Sequence, residues 1–196
     1  LAETAETDEE RAKELLRPVS RSIKKALGDM YYTTRENETM EEAVVRLLVK
    51  NKLTVTTVES CTGGMIASKI VNVAGASEVF NQGFVTYSNK AKRKMVGVGK
   101  NTLKKYGAVS EPTAREMAAG GAEEADAEAA VAVTGIAGPD GGTDEKPVGL
   151  VYIACCLNGD VTVEECHFHG SRTEIREQSA LEALDLLRRC ILKYCG

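Results

Sequence analysis

A run of β-branched residues, Thr54-Val55-Thr56-Thr57-Val58, leads straight into Glu59-Ser60-Cys61-Thr62-Gly63-Gly64. That turn passes in turn into the helix-like Met65-Ile66-Ala67-Ser68-Lys69-Ile70. Strand-then-helix order of this kind, continued down the chain, is the pattern of an α/β fold. The turn exposes side chains at a strand's carboxyl end and points helix N–H groups outward. A hydroxyl, a thiol, a second hydroxyl and two glycines at that place suit a nucleophile with an oxyanion site, or an anion cradle. They also suit a tight turn with a capping Ser or Thr.

The rest of the chain alternates in the same way. Residues 1–38 stand apart: Glu9 to Leu27 predicts a charged helix with Leu15, Leu16, Val19, Ile23 and Leu27 as its apolar stripe. Gly28-Asp29 ends it, Met30-Tyr31-Tyr32-Thr33 reads as a short strand, and Arg35 to Glu38 as a linker. A lone helix and strand cannot enclose a core, so residues 1–38 are expected to be the tail of a preceding domain or a dimerisation arm.

Residues 39–196 form the main domain. Thr39-Met40-Glu41-Glu42 is a capping box opening a helix. Strands are predicted over Thr54–Glu59, Gly83–Tyr87, Ala129–Thr134, Val148–Cys156 and Val161–Phe168. Helices are predicted over Gly64–Ala74, Lys90–Val96, Lys100–Lys105 and Glu111–Ala125, the last capped by Ser110. Leu157-Asn158-Gly159-Asp160 is a hairpin signal. Ser171-Arg172-Thr173-Glu174 is a second capping box, and its helix carries Ile175, Ala180, Leu184, Leu187 and Ile191 on one side. The expectation is a three-layer α/β/α sandwich on a mixed sheet of about five strands.

Composition excludes several alternatives. Aromatic content is 5% against 43% hydrophobic, so the core is aliphatic. A net charge of −4 argues against a nucleic-acid partner. The six cysteines form no CxxC pair and there are two histidines, which disfavours a zinc site. No signal peptide or membrane-length apolar run is present, and free thiols fit a reducing cytoplasm.

The polar clusters gather at predicted element ends: the turn 59–64, Tyr87 to Lys92, Thr134 to Gly142, and Gly170-Ser171-Arg172. In open α/β sheets, sites form outside the carboxyl ends of strands. A Ser nucleophile needs a base, and neither His167 nor His169 is well placed. A lysine serves if desolvation lowers its pKa, and Lys90 and Lys92 are both at hand. Cys61 is the rival nucleophile beside Ser60. Arg172, at a helix N-terminus, is suited to holding a phosphate.

Together these residues resemble the CinA C-terminal domain family, the nicotinamide mononucleotide deamidases. The resemblance is carried by Glu59 to Gly64, Gly83 to Asn89, Gly107 to Glu111, Thr134 to Gly142 and Lys146 to Gly149, and spans roughly 39–194. It implies hydrolysis of the mononucleotide's carboxamide to nicotinate mononucleotide and ammonia by a Ser60/Lys92 dyad, with no metal or cofactor. Tyr87 is implied as a third catalytic residue, relaying a proton or orienting Lys92. Thr62, Gly63, Gly64, Asn89, Thr134, Gly135 and Arg172 are implied on the substrate, with amides near Gly63 and Gly64 holding the oxyanion. It also implies a homodimer. The alternative is a module that binds a pyridine nucleotide without turning it over.

Overall fold

The structure is a computed structural model and describes residues 7–195. The chain divides between Thr39 and Met40 into two compact units. In the first, α1 (Glu9–Leu27) is capped by Asp8, whose side chain accepts from the Arg11 N–H at 2.9 Å. Gly28, at φ 54°, ends it. The predicted strand at Met30–Thr33 is not formed: Gly28–Met30 is a 3-10 turn, and residues 31–33 pair with no strand. Extended backbone is a strand only where a ladder partner exists. Here the tyrosine hydroxyls bond instead to Ser20 and the Glu38 carbonyl.

The second unit is built on β1 (Val55–Glu59), β2 (Phe80–Val85), β3 (Ala129–Gly135), β4 (Leu150–Leu157) and β5 (Asp160–His167). The five-stranded sheet has the order β2-β1-β3-β4-β5. β1 runs parallel to both β2 and β3, whereas β4 is antiparallel to β3 and β5 to β4. Side chains alternate across this sheet. Val55, Val131, Val133, Ile153 and Cys155 face one core, under α2 (Met40–Asn51), α3 (Met65–Val71) and α7 (Arg172–Cys195). Val58, Ala130, Ala132, Ala154 and Cys156 face the other, under α4 (Asn89–Val96), α5 (Lys100–Tyr106) and α6 (Glu111–Ala125). The result is the expected α/β/α sandwich on a mixed sheet.

β3 is central, and its first six residues are buried. It is lined by Ala and Val, so helices approach it closely on both faces. α6 and α4 also approach each other closely, so that a Cβ added at Gly120 would overlap the Val96 carbonyl. The hairpin forms as expected, with Asn158 at φ 50° and Gly159 at φ 89°. The second capping box also forms: Ser171 Oγ accepts from the Glu174 N–H, and the Glu174 carboxylate from the Ser171 N–H at 2.7 Å.

Two element boundaries differ from expectation by three residues. α3 is shorter than predicted and ends at Val71. β2 begins at Phe80, three residues before the predicted Gly83. Its Asn81 and Gln82 are exposed, as an edge strand permits, which hid the strand from a search for apolar alternation. Among the described residues no helix is long and apolar enough to cross a membrane.

Candidate active site

The parallel strands β2, β1 and β3 all end at the same rim of the sheet, and β4 and α7 begin there. That topology gathers the chain's polar clusters into one cleft of about 260 Å³. Ser60, Tyr87, Lys92, Thr134, Gly135 and Arg172 line it, together with Cys61 and the loop around Gly138.

Ser60 follows β1 directly, and its N–H continues the ladder to the Val133 carbonyl at 3.0 Å. This fixes where the side chain emerges. Lys92 comes from the first turn of α4, which Ser88 caps by accepting from the Ala91 N–H. The Lys92 side chain runs inward, and the residue is only 1% exposed. Its Nζ donates to Ser60 Oγ at 2.8 Å and to the Thr86 carbonyl at 2.8 Å. Burial pushes this ammonium down from its ordinary value to about 8, and no carboxylate among the described residues pairs with it. Lys90 is exposed to solvent, and of the two lysines it is Lys92 that the structure brings to Ser60.

Cys61 also reaches the cleft, but burial pushes its thiol up to about 11, against the smaller pull of neighbouring amides and of Lys92. It is therefore a neutral packing thiol at neutral pH. Tyr87 is 64% exposed. Its hydroxyl accepts from Arg172 Nη2 at 3.3 Å, so the tyrosine is tied to the arginine rather than to Lys92. Arg172 also donates through Nη1 to the Gly138 carbonyl at 2.6 Å, which fixes the guanidinium at the mouth of the cleft. The Thr134 hydroxyl donates to the Ala108 carbonyl at 2.8 Å and so holds the opposite wall.

Other residues named from sequence do not line the cleft. The Thr62 side chain is fully buried, and its hydroxyl has no partner among the described residues. Asn89 is exposed on the outer start of α4. Gly63 and Gly64 are part of the turn itself and add no lining surface to the cleft, and the Gly64 N–H is already donated to the Glu59 carboxylate at 2.8 Å. The expected oxyanion donor at Gly64 is thus engaged elsewhere. Among the described residues, the amides of Cys61, Thr62 and Gly63 make no backbone hydrogen bond.

Sequence reasoning missed two charged residues that shape the turn. Glu59, fully buried, also accepts from the Ile66 N–H at 3.2 Å and the Ala67 N–H at 2.9 Å, and so caps α3 from the preceding strand. Arg176 donates from Nε to the Cys61 carbonyl and from Nη2 to the Thr62 carbonyl, each at 2.9 Å. No local spacing links residue 176 to residue 61, although its position one helical turn beyond Arg172 puts the two on one face of α7.

The cleft can be compared with known proteins. A model of the CinA C-terminal domain matches residues 37–191. A putative competence-damage inducible protein of Clostridium beijerinckii is 53% identical over 96% of this chain and 46% of its own length. A CinA-like protein of Kosmotoga olearia is 51% identical, with the same two coverages. The chain therefore spans a little under half the length of these curated relatives. Among solved structures, a competence/damage inducible protein from Agrobacterium tumefaciens superposes with a TM-score of 0.72 at 46% identity, covering 79% of this chain and 97% of the other. A CinA superfamily protein from Klebsiella pneumoniae gives a TM-score of 0.76 at 33% identity, covering 80% and 99%. With the family match spanning nearly all of the second unit, the chain belongs to the CinA C-terminal domain family.

Proposed function

We propose that this chain is an amidohydrolase that converts nicotinamide mononucleotide to nicotinate mononucleotide and ammonia through Ser60 and Lys92. The observation that carries the reading is the 2.8 Å hydrogen bond between a buried, carboxylate-free lysine and a serine at a strand's carboxyl end. A lysine with a pKa near 8 is part neutral at physiological pH. The Thr86 carbonyl engages one N–H of the neutral amine, which leaves its lone pair for the Ser60 proton.

In this reading the Ser60 Oγ–carbon bond forms as Lys92 takes the hydroxyl proton, and turn amides receive the oxyanion. The C–N bond then breaks, Lys92 returns the proton to the leaving nitrogen, and ammonia departs. Water, deprotonated by Lys92, cleaves the acyl-enzyme, and the proton goes back to Ser60. Arg172 holds the ribose phosphate at the cleft mouth, with Tyr87 bracing the guanidinium.

Ammonia release from nicotinamide mononucleotide by EDTA-treated protein tests the proposal. Turnover that vanishes in Ser60→Ala is expected. Tight mononucleotide binding without ammonia would replace the enzyme reading with a binding module, and neither binding nor turnover would remove this substrate.

A further inference from the structure

The turn that carries Ser60 is held by opposite charges from two sides. On one side the Glu59 carboxylate takes the N–H groups of Gly64, Ile66 and Ala67. On the other the Arg176 guanidinium takes the carbonyls of Cys61 and Thr62. The peptides joining residues 61 to 63 are trans, the cis bond among the described residues lying at Gly138-Pro139. In a planar trans peptide the N–H opposes the C=O. Drawing those two carbonyls toward one guanidinium therefore turns the N–H groups of Thr62 and Gly63 away from it. Beyond Gly63 the next amide is already donated to Glu59. Gly63 itself sits at φ 61°, and a Cβ there would lie 3.6 Å from Arg176 Nη2.

We propose that Arg176 is a positioning residue which, by gripping the Cys61 and Thr62 carbonyls, aims the Thr62 and Gly63 amides as the oxyanion donors for attack by Ser60. The proposal shares with the amidase reading the nucleophile Ser60, but not the identity of the amide. The Nε and Nη2 donors of a guanidinium lie in one rigid plane, so they fix the directions of both carbonyls at once. A lysine's ammonium, on a flexible stem with freely rotating donors, does not impose that geometry.

A fluorophosphonate reagent separates the two ideas. The Ser60 Oγ–P bond forms as the P–F bond breaks, fluoride leaves, and the Ser60 proton passes to Lys92. Negative charge gathers on the phosphoryl oxygen, where oxyanion donors act. The labelling rate at Ser60 is measured by mass spectrometry on the full chain for wild type, Arg176→Met and Arg176→Lys, alongside mononucleotide turnover. Both variants should label on the order of 100-fold more slowly, the loss expected when an oxyanion donor is misaimed. Turnover should lose kcat by a similar factor with KM little changed, and the pH midpoint of labelling should stay put. Arg176→Lys keeps charge and stem, and carries the test if Arg176→Met fails to fold. Wild type that labels without hydrolysing the mononucleotide removes the substrate reading alone, and the variants' labelling rates still decide the role of Arg176. Wild-type labelling rates in Arg176→Lys, no labelling of wild-type Ser60, or a moved pH midpoint each overturn the positioning role.

Discussion

Lys92 Nζ and Ser60 Oγ lie 2.8 Å apart although 32 residues separate them in the chain, and the lysine reaches the serine from beneath, through the core rather than across solvent. A lysine so placed is a base only when neutral. The neutral fraction rises with pH through about 8, so kcat/KM should climb roughly tenfold per pH unit below that value and level off above it. A rate–pH profile between about 6 and 9.5 checks this. Lys92→Arg should lose on the order of a thousandfold across the range, since a guanidinium does not give up its proton. Near-full activity in that variant would remove the dyad.

Burying Lys92 costs the fold. Its pKa in the native protein is about 8, whereas an unfolded lysine titrates near 10.4. Between those values the unfolded chain binds a proton that the native chain does not, so wild-type stability rises with pH there. Below about 8 both states are protonated and the full penalty, roughly 3 kcal/mol, is present. Lys92→Met removes it but leaves the Thr86 carbonyl without its donor, at about 1–2 kcal/mol. The variant should therefore be about 1 kcal/mol more stable at pH 7, with Tm raised by roughly 2–4 °C. That gap should close near pH 9 and then reverse, the variant becoming the less stable by about 1 kcal/mol near pH 10.5, where the lysine penalty is gone and the unpaired Thr86 carbonyl remains. A variant that melts lower at pH 7 would contradict the account.

What was legible in the sequence and what was not follow from the range of the forces involved. The Ser171–Glu174 capping box and the Asn158-Gly159 hairpin were readable because both partners lie within a few residues. Ser60, Lys92 and Arg172 were readable as polar residues beside strand and helix ends, and the resemblance tied them together. The grip of Arg176 on the turn spans 114 residues or more and has no local signature. Nor did Glu59, which reads as the last residue of a strand, disclose that its carboxylate caps the following helix. The missed start of β2 and the false strand at residues 30–33 share one cause: pairing is decided by neighbours in space, not by β propensity.

Arg172 and the dyad should separate kinetically. Loss of the guanidinium removes binding present in ground and transition states alike, so Arg172→Ala should mainly raise KM for the mononucleotide. The penalty should shrink for nicotinamide riboside, which has no phosphate. Measuring both constants on both substrates checks this, and an equal fall in kcat on the riboside would assign Arg172 to the chemistry instead.

Cys61 should be dispensable for turnover. Cys61→Ala removes a buried sulphur and should cost about 1 kcal/mol of stability while keeping most of kcat. Loss of activity in Cys61→Ala together with retention in Ser60→Ala would reverse the assignment of the nucleophile.

Gly120→Ala sets two effects against each other. Helix propensity favours alanine in α6 by about 1 kcal/mol. The new methyl, however, would meet the Val96 backbone carbonyl of α4, which cannot move aside as a side chain would. Overpacking of this kind costs up to about 3 kcal/mol, so net destabilisation is expected by urea unfolding. Because α4 carries Lys92, kcat should fall too, whereas a neutral or stabilised variant would show the helices to be less tightly apposed.

The direction of β4 has a consequence for how the protein tolerates change. Because β4 runs back from the reacting rim, the Asn158-Gly159 turn lies at the opposite pole from Ser60, beside the start of β3. The long connection from Gly135 to Leu150, by contrast, leaves and re-enters the sheet at the site itself. The two rims are thus separately editable. Insertions at the hairpin would alter folding without touching the cleft, while length changes in the glycine-rich connection would reshape what the cleft admits without disturbing the ladder that holds the nucleophile.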